Sequence, residues 1–284
     1  MRPYGLHFLT DSGRFAYSGN LSKYRDDYAI LTRAHNTLRI DDQDEEPGPA
    51  TASSPLPSSE WAIDEDHDWA RGSIGYQHVH DTAVHTRAMW FHRGSGSAAA
   101  RTQGTTAADM PSTTSSVDPP FWVVVDRIQT SQDRQVEALW HTHPNNTATL
   151  SGSGNGTRLQ IDTTQDSTAH MMVVPATYNI GLASDCVPIQ WTGGRVIRGQ
   201  TEPVLQGWYS KEYDVYRESD TTVYNGTISA GPGDQNATAA WLLYPWRGEA
   251  SDPVDRVAIT KVAQDSVTVT ISIGDNTAVV VVPV

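Results

Sequence analysis

The chain has 284 residues, and 20 basic against 33 acidic side chains leave a formal net charge of −13. That length supports one large domain or two small ones, and scattered arginines in an acidic chain exclude a phosphate-backbone partner, because nonspecific nucleic-acid binding needs clustered Lys and Arg. The single cysteine, Cys186, excludes an intramolecular disulfide and a thiolate zinc finger.

No apolar run is long enough to span a bilayer, so no membrane partner is expected. The opening "MRPYGLHFLTDSGRF" lacks the apolar stretch and cleavage site of a signal peptide. In chain order, strands are predicted at "GLHFLTD", "NTLRID" after His35, "TAVHTRAMWFH" from Thr82, "PFWVVVDRIQ" from Pro120 and "QVEALWHTH" from Gln135. "TRLQIDT", "HMMVVP", "TAAWLLYP", "RVAITKV", "SVTVTISI" and "TAVVVVPV" continue the rhythm to the carboxyl terminus. Apolar residues at helical spacing are not sustained, so the chain reads as all-β. Short strands without intervening helices predict a large antiparallel β-sandwich. The alternation in "VTVTISI" predicts one solvated face, whereas the unbroken "WVVVD" predicts a strand buried on both sides. Residues 42–60 and 93–118 have few apolar anchors and are expected to be mobile surface insertions in a single domain over 1–284. Asn-X-Ser/Thr triplets at Asn20, Asn145, Asn155, Asn225 and Asn236 are frequent by chance in a Ser/Thr-rich chain and assign no glycosylation.

Ten histidines invite a metal reading. His78 and His80 would share one face of a strand and His85 the other, so one ion cannot collect them without a turn, and together with His92 they read as a surface cluster. His141 and His143 share a face beside Trp140, an arrangement that suits sugar stacking and core-edge packing equally. Asp11, at a strand end before a Ser-Gly turn, and His35, before a second strand, are normal zinc ligands, but two ligands fall short of the usual four.

"DSGRFAYSG…YRDDYAILTRAHNTLRIDDQDE" resembles the heparinase II/III-like polysaccharide lyases. "HTRAMWFHRG" followed by "FWVVVDRI", then "ALWHTHP" and "QGWYSKEY", continue the resemblance in the order that family shows, over most of residues 5–246. The resemblance implies a β-sandwich that follows an α/α toroid in an enzyme cleaving uronic-acid polysaccharides by β-elimination. Extracellular or periplasmic localisation is implied with it. It implies a zinc ion held in part by Asp11 and His35, with the ligand set incomplete here: the family's first zinc histidine lies upstream of the Asp-x-Gly turn, and His7 is the sole upstream histidine. The toroid is absent as well, so the chain looks like the carboxyl-terminal part of a lyase, truncated or partnered by a separate toroid polypeptide. Tyr28 is the candidate catalytic residue, and Tyr17, Tyr24, His85, Arg87, Trp140 and His141 are the candidates for binding an acidic polysaccharide. Arg87 would pair a uronate carboxylate in bidentate fashion, or else bridge Asp126 across the strands. A noncatalytic carbohydrate-binding or scaffold module is the alternative function, and a β-protein with no sugar ligand a third.

Overall fold

Val123, Val124 and Val125 are all buried, which a strand permits only when both of its faces are covered, because successive side chains point to opposite sides. The computed structural model, which describes residues 3–13, 15–19, 21–46, 57–64, 66–76, 83–94, 114–115, 117, 119–179, 186–231 and 235–284, supplies that cover. Phe121–Thr130 lies mid-way across a central sheet of nine strands among the described residues. Its neighbours are Ala83–His92 on one side and the long Gln235–Arg247 strand on the other, both antiparallel to it. His67–Tyr76 and Trp61–Ile63 extend the sheet beyond the first, and Ala169–Pro175, Arg158–Thr163 and Asn146–Ser151 extend it beyond the second.

Two smaller sheets sandwich this one. A front sheet runs in the order Leu38–Ile40, Arg134–His141, Asp220–Ile228, Gln190–Arg198. Its Val136, Ala138, Trp140 and Tyr224 share a core with Val124, Ile128 and Trp241 of the central sheet. A back sheet, built mainly of Arg256–Val262, Ser266–Ile273 and Asn276–Pro283, buries Val267, Val269, Val280 and Val282 against Val123, Val125, Trp90 and Leu242. Among the described residues the strands pair antiparallel except where Thr177–Tyr178 meets Arg256–Val262 and Cys186–Pro188 meets Gln235–Arg247, and an isolated parallel bridge joins Gly13 to Ser210. The all-β antiparallel expectation therefore holds, with three layers rather than two.

Ser266–Ile273 alternates buried and part-exposed positions, as one solvated face requires. The opening "GLHFLTD" does not form a strand of its own. It is a fringe on Arg134–His141, joined by the Leu9–Thr142 bridge and by the Thr10 amide donating to the His141 carbonyl (3.0 Å). Of the two expected insertions, residues 47–56 and 95–113 lie outside the described residues, as do His78 and His80. Residues 42–46 are anchored: Glu45 accepts a hydrogen bond from the Thr37 hydroxyl (2.8 Å) and its own amide donates to Thr32 Oγ1 (2.7 Å).

Candidate functional site

The Asp-Ser-Gly turn is built by a close approach of two backbones. Gly13 has φ +91°, and a Cβ placed on it would lie 2.1 Å from the Ser210 carbonyl oxygen, so only glycine fits. The Ser210 amide donates to the Ser12 carbonyl (2.8 Å), which pins the turn to the segment after Trp208. Asp11 receives the Gly13 amide on Oδ1 (3.2 Å) and faces His35 Nδ1 with Oδ2 (2.7 Å). The hydrogen bond to Asp11 holds His35 above the ordinary imidazole range against the effect of burial. Burial alone would raise the Asp11 carboxyl, but His35 and the Gly13 amide outweigh it and hold it low.

Asn36 joins this pair to the front sheet. Its Nδ2 donates to the Thr10 carbonyl (2.8 Å), its Oδ1 accepts the His141 amide (2.7 Å), and its own carbonyl accepts from Arg87 Nη1. Sequence reasoning passed over Asn36, because one asparagine in a loop carries no spacing signal; its position beside His35 is the only hint. A pocket of about 200 Å³ opens next to these groups, bordered by Asp11, Asn36, Arg87, Met89 and Trp140.

The other expected site residues are placed differently. Arg87 stands directly opposite Asp126 in the register and grips it with Nε (2.7 Å) and Nη2 (3.0 Å). His85 Nε2 lies 2.8 Å from the same carboxylate, and Trp241 Nε1 donates to it (3.1 Å). Both side chains thus serve a buried carboxylate; His85 is enclosed with it, while Arg87 keeps an edge on the pocket with its guanidinium committed to Asp126 and the Asn36 carbonyl. Trp140 is buried edge-on against Trp241, with the Arg87 guanidinium 5.8 Å from its ring centre, so no flat face is open to a sugar. His141 is buried and donates from Nε2 to the Arg33 carbonyl (3.0 Å), a tautomer that leaves Nδ1 as an unpartnered acceptor. Burial pushes its pKa down to about 4.

The tyrosines divide in the same way. Tyr28 is fully buried, edge-on to Phe15 in a small cluster with Ala34 and Leu205, and burial pushes its phenol up to about 12. The tyrosine chosen as catalytic is therefore a packing residue in this conformation. Tyr24 is half-buried against Trp208 and Tyr216. Tyr17 is the open one, 62% exposed, stacked on Tyr213 with the Arg25 guanidinium over its ring.

Carboxylate and imidazole are suitable zinc donors, but no group of three or more His, Cys, Asp or Glu gathers at metal-binding distance among the described residues. His7 does not complete a set; its ring lies 5.5 Å from that of His143, which packs on Tyr209. Asp11 and His35 offer half of a site, and these residues alone do not fit a stably held zinc.

A three-layer antiparallel module with a carboxylate–imidazole pair at the rim of its front sheet is the architecture that fold and site define. The chain belongs to the family described as Heparinase II/III-like, C-terminal, whose profile matches residues 1–242. Among solved structures it is similar to heparan sulfate lyase HepC from Pedobacter heparinus, with TM-score 0.63 and 17% identity over 98% of this chain and 35% of that one. It is also similar to the heparinase III BT4657 gene product with methylated lysines, with TM-score 0.61 and 12% identity over 99% of this chain and 34% of that one. The chain thus spans about a third of the length of the structures it matches. No curated protein gave a significant sequence match.

Proposed function

We propose that this chain is the β-sandwich part of a polysaccharide lyase that cleaves uronic-acid polysaccharides by β-elimination, with the remaining walls of the cleft supplied from outside these residues. The observation that carries the reading is the Asp11–His35 pair, held at 2.7 Å on a glycine-dependent turn beside an open pocket, in a chain of this family. Elimination needs a base at the proton beside the uronate carboxyl, a donor at the leaving oxygen and a group that neutralises the carboxylate. Tyr17, the most exposed of the candidate phenols, is available for a proton-transfer role, and Arg25, paired with Asp26, lies over its ring. Asp11 and His35 would hold zinc only with donors from elsewhere, so binding by this chain is expected to be weak. Among the described residues no helix is long and apolar enough to cross a membrane. The proposed place of work is outside the cytoplasm, where such polymers lie.

The burial of Tyr28, His85, Trp140 and His141 favours a second reading, a noncatalytic carbohydrate-binding module. One experiment separates the two. The chain is mixed with alginate, glucuronan or heparan sulfate while ultraviolet absorbance of unsaturated uronate is followed and binding is measured by calorimetry. The lyase-part reading expects binding without turnover by the isolated chain, and turnover once a toroid polypeptide is added. Binding that never becomes turnover with such a partner supports the noncatalytic module, and absence of binding to every acidic polymer sinks both.

A further inference from the structure

Strand alternation gives the Arg134–His141 strand two different faces: Trp140 and Ala138 enter the core, while Leu139 and Glu137 look out over the front sheet. On that outer side lies a second cavity of about 390 Å³, within the range of small-molecule sites. Arg33, Arg39 and Arg195 line it against two carboxylates, Asp42 and Glu137. The carboxylates are already engaged. Glu137 takes Arg195 on Oε1 (3.0 Å) and Arg39 on Oε2 (3.3 Å), and Asp42 takes Arg39. Asp44, the other acid near Arg33, accepts the Thr32 amide (2.8 Å).

Arg33 is left over. Its guanidinium makes no ion pair or hydrogen bond with the described residues, and its Nε is buried without an acceptor. Arg39, whose side chain is 6% exposed, is committed to Asp42 and Glu137 and contributes charge to the cavity. Arg33 thus brings to the cavity a guanidinium with no carboxylate of its own, in a chain of net charge −13. Ile197, Pro203 and Val204 give the cavity an aliphatic wall, the complement of the C–H face of a sugar ring.

We propose that this cavity is a binding site for an acidic saccharide unit, with the Arg33 guanidinium receiving its carboxylate or sulfate oxygens and the wall of Ile197, Pro203 and Val204 its ring. The proposal rests on the reading of the chain as a module for acidic polysaccharides, and adds to it a site on the outer face of the front sheet that uses none of Asp11, His35 or Tyr17.

Arginine Nε–H resonances give a local readout. Titration of a heparan sulfate tetrasaccharide, its carboxyl-reduced form, its desulfated form and inorganic sulfate distinguishes the two sources of oxyanion. The expected result is a shift of the Arg33 signal with the tetrasaccharide, and a roughly tenfold loss of affinity in Arg33→Gln, the scale of one charge-assisted hydrogen bond. Arg256→Gln, on an exposed back-sheet position, should bind like the unmodified chain. Binding that shifts signals around Tyr17 but leaves Arg33 unmoved overturns this site while the acidic-polysaccharide reading stands. Equal response to inorganic sulfate, with no preference for the saccharide, overturns the assignment to a glycan. No binding of the tetrasaccharide at any signal overturns the site and the broader reading together.

Discussion

Two imidazole–carboxylate pairs of nearly equal length lie on either side of Asn36 and Arg87. His85–Asp126 measures 2.8 Å with both side chains almost fully buried, and His35–Asp11 measures 2.7 Å with 39% and 60% of the side chains exposed. The same two residue types therefore do different work. Asp126 has left water entirely, and burial would raise its carboxyl; Arg87 and His85 reverse that and hold it far below the usual range. Every oxygen it owns is taken, so the group has nothing left to offer a ligand. Asp11 and His35 keep contact with solvent, Asp11 borders a pocket, and their pairing is cheap to break. Spacing in sequence does not separate the two cases; desolvation does.

The comparison predicts its largest effect at Asp126. Asp126→Asn strands Arg87 without its counter-charge and leaves His85 only Glu45, 3.7 Å away, and removing one partner of a buried ion pair typically costs about 3–5 kcal/mol. Asp11→Asn breaks an exposed pair and is expected to cost less than about 1 kcal/mol. Urea unfolding of the two variants beside the unmodified chain measures both. Equal losses would erase the distinction between the structural pair and the open one.

A pH series sharpens the same contrast. Burial would lower the His85 pKa, but Asp126 and Glu45 lift it above the ordinary 6.5. A group raised on folding stabilises fully below its unfolded value and loses that contribution as pH climbs through the folded one. Glu45 and Asp126 are depressed on folding, so their contributions are present above about 4 and vanish as pH falls through their folded values. The groups facing His85 are Asp126, Glu45 and Arg87, with Tyr76 donating to Glu45 (3.2 Å). Stability should therefore decline from pH 6.5 upward, and His85→Asn should flatten that decline. An unchanged slope in the variant would show that His85 is neutral in the folded chain.

Much of the fold was legible because its strands announce themselves by composition. Arg256–Val262 and Ser266–Ile273 fall on the segments read as strands, and the buried run at Val123–Val125 gave away a strand with cover on both sides. His67–Tyr76 was not singled out, since "HDWARGSIGY" mixes charge and glycine and is held by its partner Ala83–His92 rather than by its own pattern. Asp11 and His35 were legible through the resemblance, and the structure does bring them together. Tyr28, Trp140 and His141 looked equally suited to a site, and nothing local in their sequence shows that the 21–46 segment folds down over His141 or that Trp140 meets Trp241 between the two sheets. Arg33 escaped notice for the opposite reason: an isolated arginine becomes informative only when its neighbours' carboxylates are seen to be engaged elsewhere.

The smallest predicted effect concerns Tyr28, and it tests the boundary between core and site most directly. Its hydroxyl is buried near Thr221 and the Gly207–Trp208 backbone without a well-aligned hydrogen bond. A buried hydroxyl in that condition costs free energy and contributes none, so Tyr28→Phe should leave stability within about 1 kcal/mol, on the neutral or favourable side. Tyr28→Ala, by contrast, empties the cluster shared with Phe15 and Leu205 and should cost about 3–5 kcal/mol, as large-to-small changes in cores do. The decisive measurement is saccharide binding by Tyr28→Phe, whose fold is expected to be intact. Unchanged binding keeps Tyr28 in the core. A loss of binding or of elimination with unfolding unchanged would require the 21–46 segment to open and hand its phenol to the substrate, and would move Tyr28 from the structural side of the comparison to the chemical one.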